Sequence, residues 1–181
     1  MKEKNNKLIV IVNTIAIFFA MFLFSFMYEW FPNFLTAAIF AVNESLFEHL
    51  KLMFSSTMIV SLIVFFIFKL KHIKINNYFL GLFLSTLLQI VLYFIVYIPL
   101  YNHFGENLVI AMGLYLIVLI ISEYSFYLIM TKIKNNDLYN AISTILLSIS
   151  FFVLVYLTFN PRINDFFFDP IEEKYGINIY T

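Results

Sequence analysis

Two carboxylates and an imidazole occur close together in residues 43–51, where polar side chains are dense beside an apolar run. Glu44 and Glu48 are four residues apart, so they share one face of a helix. Ser45 and His49 have the same spacing and share the neighbouring face. Carboxylates and imidazoles are ligands for divalent cations in proteins. The stretch therefore predicts a ligand site, with a divalent cation as the candidate cofactor.

The same residues also fit a structural role at the start of a helix. Ser45-x-x-Glu48 has the spacing of a capping box, in which both side chains accept from free backbone amides, and an acid there suits the helix dipole. Acid–base chemistry by Glu48 and His49 on a lipid headgroup is a third interpretation. It is disfavoured because adjacent side chains on a helix diverge by about 100°. No HExxH motif indicates a metalloprotease.

Two further polar residues lie within long apolar runs. Glu123 has no basic residue at a similar depth, and Gln89 lies near the middle of the preceding run. An ionisable group inside a membrane is costly and must face other helices or water. Glu123 is therefore interpreted either as a proton relay or as a neutral hydrogen-bond donor that holds helices together.

Composition determines the class of protein that must position these side chains. Hydrophobic residues make up 62% of the 181 residues and charged residues only 12%, whereas soluble domains carry about 25% charged residues. A water-soluble fold is excluded. Net charge is zero and basic residues are scattered, so nucleic acid is not expected as a partner. The absence of cysteine excludes disulfides and thiol catalysis.

Five stretches are long and apolar enough to cross a bilayer, which takes roughly 20 residues. They cover approximately residues 8–28, 50–68, 78–100, 108–130 and 138–157. The first run is longer than the core of a signal peptide and is interpreted as an uncleaved span. The predicted fold is an all-α bundle of about five transmembrane helices in residues 1–157, with an external tail in residues 158–181.

The distribution of basic residues predicts the orientation, because basic loops stay in the cytoplasm. Eight of the eleven basic residues lie before span one or after spans two and four: Lys2, Lys4, Lys7, Lys69, Lys71, Lys74, Lys132 and Lys134. We therefore expect a multi-pass protein of the cell membrane with a cytoplasmic amino terminus and an extracytoplasmic carboxyl terminus.

Most acidic residues then face outward, where they could form one site. Eight of the eleven do so: Glu29, Glu44, Glu48, Glu106, Asp165, Asp169, Glu172 and Glu173. The candidate ligand-binding residues are accordingly Glu29, Asn43, Glu44, Ser45, Glu48, His49, His103 and Asp169.

Two segments outside the spans are expected to be ordered. Residues 33–42 follow Pro32 and are apolar but too short to cross the bilayer, which favours a re-entrant or interfacial helix. In the tail, prolines and Gly176 predict turns. The aromatic residues 166–168 are expected to fold back onto the bundle, which would bring Asp165 and Asp169 towards Glu44, Glu48 and His103. A solvated tail is the alternative.

Three motifs resemble those of a small prokaryotic family of integral membrane proteins without assigned function. They are Tyr28-Glu29-Trp30, Asn43-Glu44-Ser45 followed by Glu48-His49-Leu50-Lys51, and Asp169-Pro170 followed by Tyr175-Gly176-Ile177. The chain departs from the family pattern at Phe47, Arg162, Asp165 and Glu172-Glu173. The resemblance implies a membrane location and an outer polar motif, and no reaction.

The sequence thus favours a non-enzymatic membrane protein that binds or transports a cation or small polar solute. A structural or accessory subunit is the alternative, and an enzyme acting on a lipid headgroup is the second alternative. Membrane lipid is the one expected partner. Protein partners are not indicated.

Overall fold

The computed structural model describes residues 2–73, 75–105, 107–177 and 179–180, and the side chains of residues 7–73, 75–105 and 107–177. Lys74, one of the basic residues that predict the orientation, and Glu106, one of the predicted outward acids, lie outside the described residues, as do the side chains of Lys2 and Lys4. The helices are α1 Lys2–Trp30, α2 Phe34–Ile39, α3 Leu46–Leu70, α4 Tyr78–Phe104, α5 Leu108–Lys132 and α6 Asp137–Phe159. Three short strands follow: β1 Phe168–Asp169, β2 Lys174–Tyr175 and β3 Ile179–Tyr180.

Five of these helices, α1 and α3 to α6, are long and apolar enough to cross a membrane. They confirm the predicted all-α fold, and each is longer than predicted at one or both ends. Large apolar side chains cover their surfaces; Phe19, Ile95 and Phe152 are 66%, 66% and 69% exposed. Soluble proteins seldom expose such surfaces over large areas. The chain therefore has the features of a multi-pass membrane protein.

The chain forms two compact units. The first unit comprises Met1–Phe18 and Val60–Thr144, and the second comprises Phe19–Ile59 and Ile145–Thr181.

In the first unit α4 and α5 pack closely at a glycine. A Cβ atom at Gly81 of α4 would lie 2.6 Å from the ring of Phe126 on α5, so only glycine fits this contact without a shift. The Tyr78 ring meets Phe126 edge-on, with centroids 5.2 Å apart. Phe126 is only 1% exposed, which leaves its ring little room to move.

Replacing Gly81 by alanine is expected to lower the free energy of unfolding by about 1 kcal/mol. Overpacking costs about 1–3 kcal/mol, whereas the better helix propensity of alanine returns at most about 1 kcal/mol. Gly113→Ala is the matched control, because nothing lies within 4 Å of a Cβ there. Reversible unfolding in mixed micelles would measure the free energy of unfolding of both variants. Equal shifts for the two would contradict the close contact.

In the second unit the short helix α2 follows Pro32. The Asn33 side chain accepts from the backbone amides of Leu35 and Thr36, which begins the helix with a capping box. Phe34 and Leu35 are 67% and 68% exposed, while its two alanines are buried. Six residues cannot cross a bilayer. The helix therefore has the short length expected of the re-entrant or interfacial segment predicted there.

The tail of the second unit is built from turns and a small antiparallel sheet in the order β1-β2-β3. The strands were not predicted, because strands of two residues carry no periodic pattern. Gly176 has φ +57°, and a Cβ there would lie 2.8 Å from Pro161, so this turn requires glycine. Phe47 stacks on Phe167 at 4.6 Å, and its amide donates to the Phe166 carbonyl. The tail aromatics thus pack on the start of α3.

Candidate functional site

The segment that precedes α3 is held by side chains that accept from backbone amides. Ser45 Oγ accepts from the Glu48 amide at 3.3 Å, which is the first bond of the predicted capping box. The second bond differs from the prediction, because Glu48 Oε2 accepts from the Val42 amide at 3.2 Å. Asn43 Oδ1 accepts from the Ser45 amide, and Asn43 Nδ2 donates to the Gly176 carbonyl at 2.9 Å. The segment is therefore tied both to α3 and to the tail.

A buried ion pair occupies the first turns of α3. Lys51 Nζ lies 2.6 Å from Glu48 Oε2, and both side chains are 1% exposed. Lys51 also donates to the Ala37 carbonyl at 2.9 Å and to Thr158 Oγ1 at 2.8 Å. Thr158 Oγ1 donates in turn to Glu48 Oε1 at 3.2 Å. The pair therefore joins α2, α3 and α6 through charge-assisted hydrogen bonds.

Sequence reasoning missed the role of Lys51, which it named only as part of the motif Glu48-His49-Leu50-Lys51. The spacing of Glu48 and Lys51 at positions i and i+3 of a helix was a usable signal for an ion pair. Their burial was not visible in the sequence, because the partners Ala37 and Thr158 are distant along the chain.

Glu44 and His49 form a second, more exposed contact. His49 Nε2 lies 3.3 Å from Glu44 Oε2, and the Glu44 side chain is 46% exposed. Glu44 and Glu48 thus have different partners, and the three side chains do not assemble into one cation site. Within the described residues, no group of three or more His, Cys, Asp and Glu side chains is arranged to hold a metal ion.

The contact with His49 should make the stability depend on pH. The hydrogen bond to His49 outweighs partial burial and holds the pKa of the Glu44 carboxyl below its ordinary value of 4.5. A lowered folded-state pKa stabilises the fold above the unfolded pKa, and this stabilisation is lost as the pH falls through the folded value. The effect is small because the Glu44 side chain is 46% exposed, so solvent screens the contact.

We expect the stability difference between the wild type and Glu44→Gln to shrink as the pH falls below about 4.5. Unfolding in an acid-stable detergent across this range would measure it, with exposed Asp165→Asn as the control. A difference that grows as the pH falls would contradict the assignment.

Asp169 organises the tail around it. It is 1% exposed, and Oδ1 accepts from the amides of Ile171 and Glu172 at 2.8 and 3.2 Å. Its other oxygen, Oδ2, accepts from the Glu44 amide at 3.3 Å. Asp169 therefore connects the tail to the segment before α3.

A pocket of about 140 Å³ opens beside these residues. Its lining includes four carboxylates and an aromatic ring, and it consists of Ser25, Tyr28, Glu29, Ala41, Val42, Asn43, Glu44, Asp169, Ile171 and Glu172. We call this the acidic pocket. No lysine, arginine or histidine is among the lining residues. Taking about 30 Å³ per water molecule, it could hold a few waters or one small solute.

The structure brings only some of the predicted site residues to the acidic pocket. Glu29, Asn43, Glu44 and Asp169 line it, whereas Ser45, Glu48 and His49 do not. His103 belongs to the first unit, where it lies exposed in the last turn of α4. Sequence reasoning omitted Tyr28 and Glu172 as site residues, although Tyr28 adjoins Glu29 and Glu172 was recognised as an outward acid.

The two polar residues predicted to lie inside the membrane are buried in the first unit. Gln89 is 1% exposed and donates from Nε2 to the Tyr115 hydroxyl at 3.2 Å. Glu123 is also 1% exposed, on α5. Neither side chain belongs to the acidic pocket.

Comparison with known proteins identifies a matching family. The family model described as "Family of unknown function (DUF6512)" matches residues 1–177 of the chain. No curated protein and no solved structure matches the chain.

Proposed function

We propose a function from the geometry of the acidic pocket, since this chain belongs to a family of unknown function, DUF6512. The proposed function is that of a membrane protein that binds a small organic cation. We assign the pocket to the extracytoplasmic side, as the distribution of basic residues predicts.

The observation that supports this proposal is the charge of the pocket lining. Four carboxylates and no basic side chain line a cavity of about 140 Å³. Glu29 and Glu44 are both exposed there. Clefts lined by charge of one sign and bounded by low-dielectric walls concentrate the opposite ion. A cation is therefore the ligand that this lining attracts.

The other groups of the lining favour an organic ammonium ion over a metal ion. Both oxygens of Asp169 already accept from backbone amides, and Glu172 pairs with Lys174. Glu29 remains, together with Glu44, whose Oε2 also contacts His49. Two carboxylates are few for Ca²⁺ with its six to eight oxygen ligands. Apolar side chains complete the walls, and the Tyr28 ring could face an ammonium group.

The test is thermal unfolding of the purified protein in detergent with methylammonium, choline or putrescine, and with K⁺, Mg²⁺ or Ca²⁺ at equal ionic strength. An organic cation at a hundred times its Kd should add about 2.7 kcal/mol of stability. That corresponds to a rise in Tm of several degrees for a chain of this size.

The decisive variant is Glu29→Gln/Glu44→Gln, which should lose this rise. Asp165→Asn/Glu173→Gln is the matched control, because it removes two exposed acids that do not line the pocket. Equal responses of the two variants, or equal stabilisation by every salt, would refute an ammonium site.

A structural or accessory role is the second candidate. It is favoured by the hydrogen bonds of Glu48, Lys51 and Asp169, which are satisfied within the chain. This role predicts that pocket variants change stability or expression while no tested cation alters the Tm of the wild type.

A further inference from the structure

A separate polar cluster lies inside the first unit, contributed by four membrane-spanning helices. Asn13 of α1 donates from Nδ2 to Ser61 Oγ of α3 at 3.4 Å. The Tyr78 hydroxyl of α4 donates to the Ser61 carbonyl at 2.7 Å. The Asn13 side chain also hydrogen-bonds to the carboxyl of Glu123 on α5. These four residues are between 0 and 3% exposed, so water does not screen their interactions.

Two acceptor atoms of this cluster have no hydrogen-bond partner among the described residues: Asn13 Oδ1 and Glu123 Oε2. Buried polar atoms in folded proteins are almost always hydrogen-bonded, because an unpaired acceptor loses the bonds it made to water. Two unpaired acceptors on side chains that already contact each other indicate that a donor is missing between them.

The charge of the cluster also indicates that a proton is missing. The titratable group that faces Glu123 from α4 is Tyr78, whose hydroxyl proton is already donated to Ser61. No ion pair joins Glu123 to a basic side chain within the described residues. An ionised carboxylate at this depth would therefore be an uncompensated buried charge, which proteins neutralise by binding a proton.

We propose that Glu123 is a proton-binding site and that its carboxylic acid donates the bound proton to Asn13 Oδ1. An amide and a carboxylic acid can exchange two hydrogen bonds, one from the amide N–H and one from the acid O–H. A single proton thus gives both unpaired oxygens a bond and removes the charge. The ligand of this site is a proton, and the site is independent of the acidic pocket.

Infrared spectroscopy of the protein in lipid tests the protonation state directly. At about pH 7 exposed carboxyls are ionised, since their pKa values are about 4. The wild type should nevertheless show the C=O stretching band of a protonated carboxylic acid, shifted in D₂O, and Glu123→Gln should lack it. A wild-type spectrum identical to that of Glu123→Gln in this region would overturn the proposal.

Thermal unfolding provides a second measurement. Glu123→Gln replaces the acid by a neutral group that also donates and accepts, so its Tm should stay within a few degrees of the wild type. Asn13→Leu removes both hydrogen bonds to the acid and should lower the Tm clearly. A Glu123→Gln protein that unfolds as easily as Asn13→Leu, or fails to fold, would show that the carboxylate charge is required and would refute a bound proton.

Discussion

Lys51→Met is expected to destabilise the protein by about 3–5 kcal/mol, the cost of removing one partner of a buried ion pair. The Glu48 carboxylate, at 1% exposure, would lose its only cationic contact among the described residues. The Ala37 carbonyl and Thr158 would lose a donor at the same time. Reversible unfolding in mixed micelles would measure the loss.

Two further variants separate the ion pair from the loss of a lysine side chain. Lys69→Met, in an exposed position on the same helix, should change stability by less than about 1 kcal/mol. Glu48→Gln/Lys51→Met should recover part of the loss, because no charge is left buried alone. A double variant as unstable as Lys51→Met would show that shape rather than charge is decisive.

Asp169→Ala should give the second large loss, about 2–4 kcal/mol. Hydrogen bonds to a charged acceptor contribute about 1.5–3 kcal/mol each, and three backbone amides would lose theirs. Water that reaches the freed amides offsets part of this loss of stability. The tail and the segment before α3 should loosen together, because Asp169 bonds to the Glu44 amide.

Hydrogen exchange would locate this effect. The amides of Glu44, Ile171 and Glu172 should exchange faster in Asp169→Ala, and those in the middle of α5 should not. Asp165→Ala removes an exposed acid of the same tail and should leave both sets protected as in the wild type. Unchanged exchange at Glu44 in Asp169→Ala would contradict the link between the two segments.

These variants also separate stability from binding. Asp169 lines the acidic pocket, but both of its carboxylate oxygens accept hydrogen bonds from backbone amides. Glu29 and Glu44 line the same pocket and are exposed. Loss of a cation response in Glu29→Gln/Glu44→Gln without a large loss of stability would therefore support the proposed site more strongly than any change at Asp169.

The sequence alone determined the helices. Each span is a continuous apolar run of about 20 residues, and in hydrocarbon every backbone amide of such a run must bond within its own helix. Length and composition are local properties, so the five helices could be located from the sequence. For most helix ends the predicted residue lies within a few residues of the observed one. Prolines and Gly176 likewise indicated turns in the tail, because their backbone preferences are local.

The composition of the site was partly predictable for the same reason. Glu29, Asn43 and Glu44 were identified as polar residues next to spans, and Asp169 as a tail residue expected to approach them. All four line the acidic pocket. Their hydrogen-bond partners were not predictable. The four-residue spacing that suggested a shared site for Glu44 and Glu48 failed, because α3 begins at Leu46 and Glu44 lies outside it.

Only the tertiary structure decided which polar groups meet. Glu44 bonds to Asp169 at a separation of 125 residues, Lys51 to Thr158 at 107, and Asn13 to Ser61 at 48. No local pattern specifies such pairs, because in a low-dielectric interior any polar group must find a partner and several were available. Packing of the helices and the tail selected among them, and so determined that Lys51 is a buried structural cation and that Glu123 lies beside Asn13.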